Sequence, residues 1–240
     1  MKQPDRERGR WGTFLVAFGA SLWASDLILR RGLAQELPAI EIVFWEHLIL
    51  TIACLPFLIR ARRYLRAFGL REWVAAILVG AGASVAATVL FTAAFARGDA
   101  TSVLLLQKLQ PLVVVLAAHI MLGERLTPRY TLFAVPALAG SYLLSFPDPL
   151  DVRVEQVAAA GLSVSAAVLW GLGTVLGRQL SFKIPHLEQA ALRFTVGLPV
   201  AALLLALAAR SGPAVIAQAG EAPTLIALAL IPGLLAMSLY

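Results

Sequence analysis

The sequence predicts an all-α integral membrane protein made of two inverted five-helix repeats. Apolar residues make up 60% of the chain and charged residues 14%, against roughly 45–50% and 25% in soluble domains. The apolar residues gather into runs of roughly 18–25, the length a helix needs to cross a hydrocarbon core of about 30 Å. The second half also repeats the first at a shift of 147 residues. Trp23 falls on Trp170, Ala20 on Ala167, Leu22 on Leu169, Arg31 on Arg178, Leu33 on Leu180, Pro38 on Pro185 and Glu41 on Glu188, all within one gap-free stretch from Ala20 to Glu41. Drift rarely keeps Trp, Arg, Pro and Glu together. Internal repeats in a membrane chain point to a transporter with a site between related halves.

Eight spans follow, near residues 11–30, 39–60, 72–94, 100–122, 130–147, 157–178, 187–209 and 222–240. The first begins after MKQPDRERGR (1–10), too charged for a cleaved leader and expected as a cytoplasmic tail. The second runs between Arg30–Arg31 and the cluster Arg60, Arg62, Arg63 and Arg66. The third follows Arg71 and carries Gly80, Gly82, Ser84 and Ala86, small residues that let helices approach closely. The fourth is leucine-rich, holds Pro111 and ends at LGERL (122–126). The fifth is again rich in small residues and leads to the acidic outer segment DPLDVRVEQ (148–156). The sixth carries Gly173 and Gly177, the seventh Arg193. The eighth is the run PTLIALALIPGLLAMSLY, which reaches Tyr240. The expected division is a tail (1–10), a first repeat (11–147), an outer loop (148–156) and a second repeat (157–240). That second repeat has three helices where the first has five, so a fragment or a truncated gene is expected.

Basic residues set the orientation. With the N-terminus inside, the inner segments hold 13 Lys and Arg and the outer segments 5, namely Arg30, Arg31, Arg97, Arg153 and Arg210. Such a bias places the N-terminus in the cytoplasm. The net charge of +6 therefore reflects membrane topology rather than a nucleic-acid partner. Five spans separate the starts of the repeats, an odd number, so the halves are upside down relative to each other. Cys54 is the single cysteine, which excludes an intrachain disulfide and a thiolate zinc site.

Charges within apolar runs are the best functional clue, because each is costly unless paired or wet. At about 1.5 Å of rise per residue, Glu46, His47 and Lys108 lie about 10 Å from the outer surface. Asp26 is somewhat shallower. The expectation is that Lys108 pairs with Glu46 or Asp26, either lining a cavity for a zwitterion or a proton relay, or locking two helices together. His47 could titrate near neutral pH, about 100° around the helix from Glu46. Gln107 and Gln110 flank Lys108 ahead of Pro111, which frees a backbone carbonyl one turn earlier. Freed backbone at membrane depth is tolerated where it is buried or lines a cavity. Trp23 and Trp170 stand at equivalent places and offer an aromatic wall, against a role in the interfacial belt. Arg193 is read as snorkelling to the surface at least as readily as binding a ligand. Glu124 and His119 read as structural. HExxH, GxSxG and phosphate-loop patterns are missing from the sequence, so neither a catalytic residue nor a metal or cofactor is expected.

The stretch LFTAAFARGDATSVLLLQKLQPLVVVLAAHIMLGERLTPRYTLFAVPALAGSYLL (90–144) resembles the EamA half of the drug/metabolite transporter superfamily. The likeness rests on a small-residue third helix, a loop with Ala100 and Ser102, a leucine-rich helix with Pro111, LGERL, and the paired Trp23 and Trp170. It implies ten helices around a central cavity and alternating-access transport of small polar metabolites, with amino-acid export as the leading case. The family often carries an Arg in the second helix of each half. Arg193 keeps that pattern and Glu46 breaks it. A prokaryotic inner membrane is the expected location, with lipid as neighbour and protons favoured over sodium as a coupling ion. Two alternatives stay open, a non-transporting membrane partner and an integral-membrane enzyme acting on lipid phosphates.

Overall fold

The computed structural model describes residues 6–123, 128–145, 154–211 and 220–239. Every regular element among them is helical. Helix α1 covers Arg6–Glu36, so the described part of the expected tail, 6–10, is helical; no proline stands between Arg6 and Pro38 to stop it. Pro38 then turns the chain into α2 (Ala39–Ala53). The second span is bent by 75° at Cys54 and continues as α3 (Leu55–Leu65). Pro56 explains the bend: it has no N–H for the carbonyl of Ile52, and its ring crowds that oxygen.

Helix α4 (Leu70–Phe95) is continuous but widens to π-helix over Leu78–Ala86. The fourth span divides into α5 (Ala100–Gln107) and α6 (Gln110–Leu122). Asp99 caps α5, its Oδ2 accepting from the N–H of Ser102 at 3.0 Å. The break precedes Pro111, which deprives the Gln107 carbonyl of its helical partner. Gly123, at φ +70°, ends α6 in the left-handed conformation that favours glycine. Helices α7 (Pro128–Ser145), α8 (Val154–Ser181), α9 (His186–Ser211) and α10 (Ala222–Ser238) complete the described chain. A second π segment, Ala229–Leu235, lies in α10 around Pro232. Residues 124–127 of the LGERL region, Glu124 included, and residues 146–153 of the outer segment lie outside the described residues.

Four helical stretches among the described residues are long and apolar enough to cross a membrane: Leu70–Phe95, Ala100–Leu122, Val157–Ser181 and His186–Arg210. The bent pair α2–α3 makes a fifth if counted as one span. The remaining three expected spans coincide with α1, α7 and α10, of which α10 is a shorter apolar helix. The molecule is an all-α multi-pass membrane protein.

Packing follows the register of the repeat. The shift of 147 sends the first span onto the sixth, the second onto the seventh and the third onto the eighth. Helix α1 packs along α10, and α4 packs along α8, contacts that the repeat exchanges. Helix α4 meets α9 just as α10 meets α2. The pair α2 and α9 maps onto itself and is closely packed. This is the pattern that a pseudo-two-fold axis between inverted halves requires. A core shared by α1, α2, α4, α5, α8 and α10 holds Leu33, Ile42, Phe91 and Val103. Small residues allow the crossings. A Cβ on Gly80 would lie 2.8 Å from Val196, and one on Gly197 would lie 2.8 Å from the His47 ring.

Candidate functional site

Two polar networks occupy the interior, and adjacent residues of α2 begin them. The first is centred on Arg30, whose side chain is 4% exposed. Its Nε donates to Asp26 Oδ2 at 2.9 Å and its Nη2 to Asp26 Oδ1 at 2.8 Å. Nη2 also lies 3.1 Å from each Glu46 oxygen, and Nη1 donates to Thr92 Oγ1 at 3.0 Å. One guanidinium thus ties α1 to α2 and α4. A planar fork of five donors suits this task, where an ammonium would not. The Asp26–Arg30 half of the network is local, because residues four apart share a helix face.

The second network crosses between halves. Nε–H of Arg193 donates to Ser84 Oγ at 2.9 Å. Ser84 Oγ lies 3.0 Å from His47 Nε2, and His47 Nδ1 lies 2.8 Å from the Val43 carbonyl. That carbonyl can only accept, so Nδ1 carries a hydrogen. Nε2 of the neutral ring then accepts from the Ser84 hydroxyl, whose oxygen takes the Arg193 N–H. Each donor and acceptor in this chain is used once. The guanidinium also sits 5.8 Å from the centre of the Phe194 ring. Its Nη1 and Nη2 donate no hydrogen bond among the described residues. Ser84 lies within the π segment of α4, and such segments are frequent at functional sites.

The expected partner of Glu46 is corrected by this geometry. Lys108 is exposed at the break between α5 and α6 and forms no ion pair among the described residues. Arg30, counted above as an outer-loop charge, is buried and takes both Asp26 and Glu46. Its removal from the loop tally leaves four basic residues in the segments expected outside, against 13 in those expected inside. Glu46 and His47 diverge around α2, one toward α1 and the other toward α4 and α9. Gln110 reaches Thr174 of α8 at 3.4 Å, and the Thr174 hydroxyl donates to the Trp170 carbonyl. Gln107 is half-buried at the end of α5. The two tryptophans differ in setting. Trp170 packs edge-on against Phe91, with ring centres 5.0 Å apart, whereas Trp23 keeps 39% of its surface exposed. Away from this centre, two ion pairs join the halves across the face that carries α3. Lys183 Nζ lies 2.6 Å from Glu72 Oε1, and Arg60 Nε lies 3.4 Å from Glu188 Oε1.

Sequence reasoning left Arg30, Thr92 and Ser84 out of these polar networks and read Arg193 as snorkelling. Two signals were available. Asp26 and Arg30 stand at helical i, i+4 spacing, and the repeat register sets Glu46 on Arg193. Equivalent positions of the two halves therefore carry opposite charges.

A family model described as the EamA-like transporter family matches residues 10–146. The chain belongs to the EamA-like transporter family. Among curated relatives, a protein named riboflavin transporter ImpX, from Fusobacterium nucleatum subsp. nucleatum, is 39% identical over 83 residues. That stretch is 33% of this chain and 28% of the relative, so the match spans under a third of the relative's length. A solved structure titled only as a crystal structure of a protein superposes with a TM-score of 0.66, covering 95% of this chain and 77% of its own, at 23% identity. That likeness shows a shared fold. Family and apolar helices together make this chain a multi-pass membrane protein of the EamA-like transporter family.

Proposed function

We propose that this EamA-family chain is a secondary active transporter that moves small polar metabolites, zwitterions with a carboxylate first among them, across a prokaryotic inner membrane by alternating access. The observation that carries this reading is the free Nη edge of Arg193 near a charge triad of opposite sign. Asp26, Arg30 and Glu46 sum to one negative charge when ionised, and Arg193 restores neutrality. A neutral but dipolar interior suits a substrate that is itself neutral and dipolar, because neither partner then leaves an uncompensated charge in a medium of low dielectric. The carboxylate takes two parallel N–H donors of Arg193. The ammonium faces Asp26 and Glu46. Trp170 and Gln110 supply an aromatic face and an amide along the route, with Gln107 at the helix break and Trp23 and Lys108 at its margins.

The two halves, 11–147 and 157–240, move relative to each other in this reading. The pairs Lys183–Glu72 and Arg60–Glu188 close the α3 face while the other face opens. Proton coupling falls to the polar groups that α2 carries at membrane depth, Glu46 and His47. Amino-acid export is the leading direction and substrate class. A flavin is the second reading, favoured by the relative named for riboflavin.

The test is counterflow in proteoliposomes loaded with each of a panel of unlabelled amino acids, nucleobases and riboflavin. Saturable uptake of a labelled amino acid supports the lead reading. Uptake of riboflavin alone replaces zwitterions by flavins, and no uptake of any compound contradicts transport.

A further inference from the structure

The 75° bend after α2 produces an element whose outward side the transport reading does not use. With α2 along the membrane normal, α3 rises only about 4 Å over its length and so runs nearly parallel to the bilayer plane. One side of it is committed to protein. Phe57 and Leu58 pack with Ala190, Ala191 and Phe194 of α9, while Ala61, Tyr64 and Leu65 pack with Leu180, Ile184 and Leu192.

The other side grades from apolar to basic along the helix. Leu55 and Ile59 are 50% and 56% exposed, and Arg62, Arg63 and Arg66 follow on the exposed side. The segment 55–71 contains five arginines and no acidic residue. Arg60 is engaged by Glu188, and Arg63 lies over the Tyr64 ring at 4.6 Å and donates to its hydroxyl. Arg62, Arg63 and Arg66 have no carboxylate partner among the described residues.

We infer that the outward face of α3 is a binding surface for anionic lipid headgroups. Leu55 and Ile59 enter the acyl boundary, and Arg62, Arg63 and Arg66 meet phosphate at headgroup level. A helix lying in the interface with an apolar side and arginines is the form that binds anionic bilayers. Charge complementarity selects the occupant: three uncompensated guanidinium groups beside exposed leucine and isoleucine match a lipid that has both an anionic head and an acyl chain. Free phosphate would leave Leu55 and Ile59 in water. Basic loop residues that only set topology would need neither the bend nor this apolar flank.

The test is lipid retention by the full chain, measured by native mass spectrometry after titration with phosphatidylglycerol or phosphatidylcholine in a neutral detergent. The parent retains phosphatidylglycerol in preference. Each arginine near a surface is worth about fivefold in affinity, so Arg62→Gln/Arg63→Gln/Arg66→Gln loses about 100-fold. The control Arg31→Gln/Arg97→Gln/Arg210→Gln removes three exposed arginines from the opposite end of the helices and stays within about threefold of the parent. A parent without preference for phosphatidylglycerol overturns the inference, and so does an equal loss in the control. The parent's preference needs no variant, so misfolding of the triple variant does not shield the proposal.

Discussion

Replacing Arg30 by methionine keeps the length of the side chain and removes every donor that holds the first network. In the structure the guanidinium makes three contacts to Asp26, two to Glu46 and one to Thr92. Its loss leaves two carboxylates in the interior without their cation. Removing one partner of a buried pair costs about 3–5 kcal/mol, most of it the penalty on the orphaned charge. In a chain of this size that corresponds to a fall of about 6–20 °C in melting temperature. Thermal unfolding of the detergent-purified protein, followed by loss of the monodisperse peak, reads this directly. The second substitution Glu46→Gln in the Arg30→Met background removes one of the two orphans and recovers about half the loss. A melting temperature for Arg30→Met within about 2 °C of the parent would refute the reasoning, because it would mean that Arg30 does not neutralise buried charge.

Other substitutions test the crossing between halves. Ser84→Ala strips Arg193 Nε and His47 Nε2 of their shared partner and costs about 1–3 kcal/mol, read by the same melt. Gly197→Ala drives a methyl to 2.8 Å from the His47 ring and destabilises by about 1–3 kcal/mol, while Gly82→Ala, with nothing within 4 Å of its Cβ, leaves the melting temperature unchanged or raised. The Lys183–Glu72 pair is partly exposed, with side chains 45% and 20% accessible. A double-mutant cycle therefore gives a small coupling that shrinks as salt rises.

The architecture was legible because hydrophobic length and the repeat register are properties of sequence alone. Trp23 on Trp170 and Pro38 on Pro185 gave the inverted pairing of spans, and the packing of α1 on α10 and α4 on α8 follows it. The bend at Cys54 was signalled by Pro56, yet a span read only as an apolar run passes over it. The buried polar networks of the candidate site were half legible. Asp26, Glu46 and His47 stood out as polar residues at membrane depth. Arg30 did not, because a charge near the end of an apolar run looks the same whether it caps the span or turns inward. Only packing decides that. Lys108 failed in the opposite way: its depth was judged from a straight helix, and the break before Pro111 turns it out. Ser84 carries no charge and sits among small residues, so its role in joining Arg193 to His47 needed three helices in place.

The central claim is that the free edge of Arg193, near Asp26, Arg30 and Glu46, receives the substrate. Counterflow of the best-transported labelled amino acid, measured for the parent, Arg193→Lys and Arg193→Gln at matched protein content, tests it most directly. Loss of a bidentate pair predicts that Arg193→Gln needs about 10–100-fold more substrate for half-maximal uptake, with Arg193→Lys between it and the parent and a carboxyl-amidated analogue failing to compete. Arg193→Gln transporting with parental half-saturation would contradict the account.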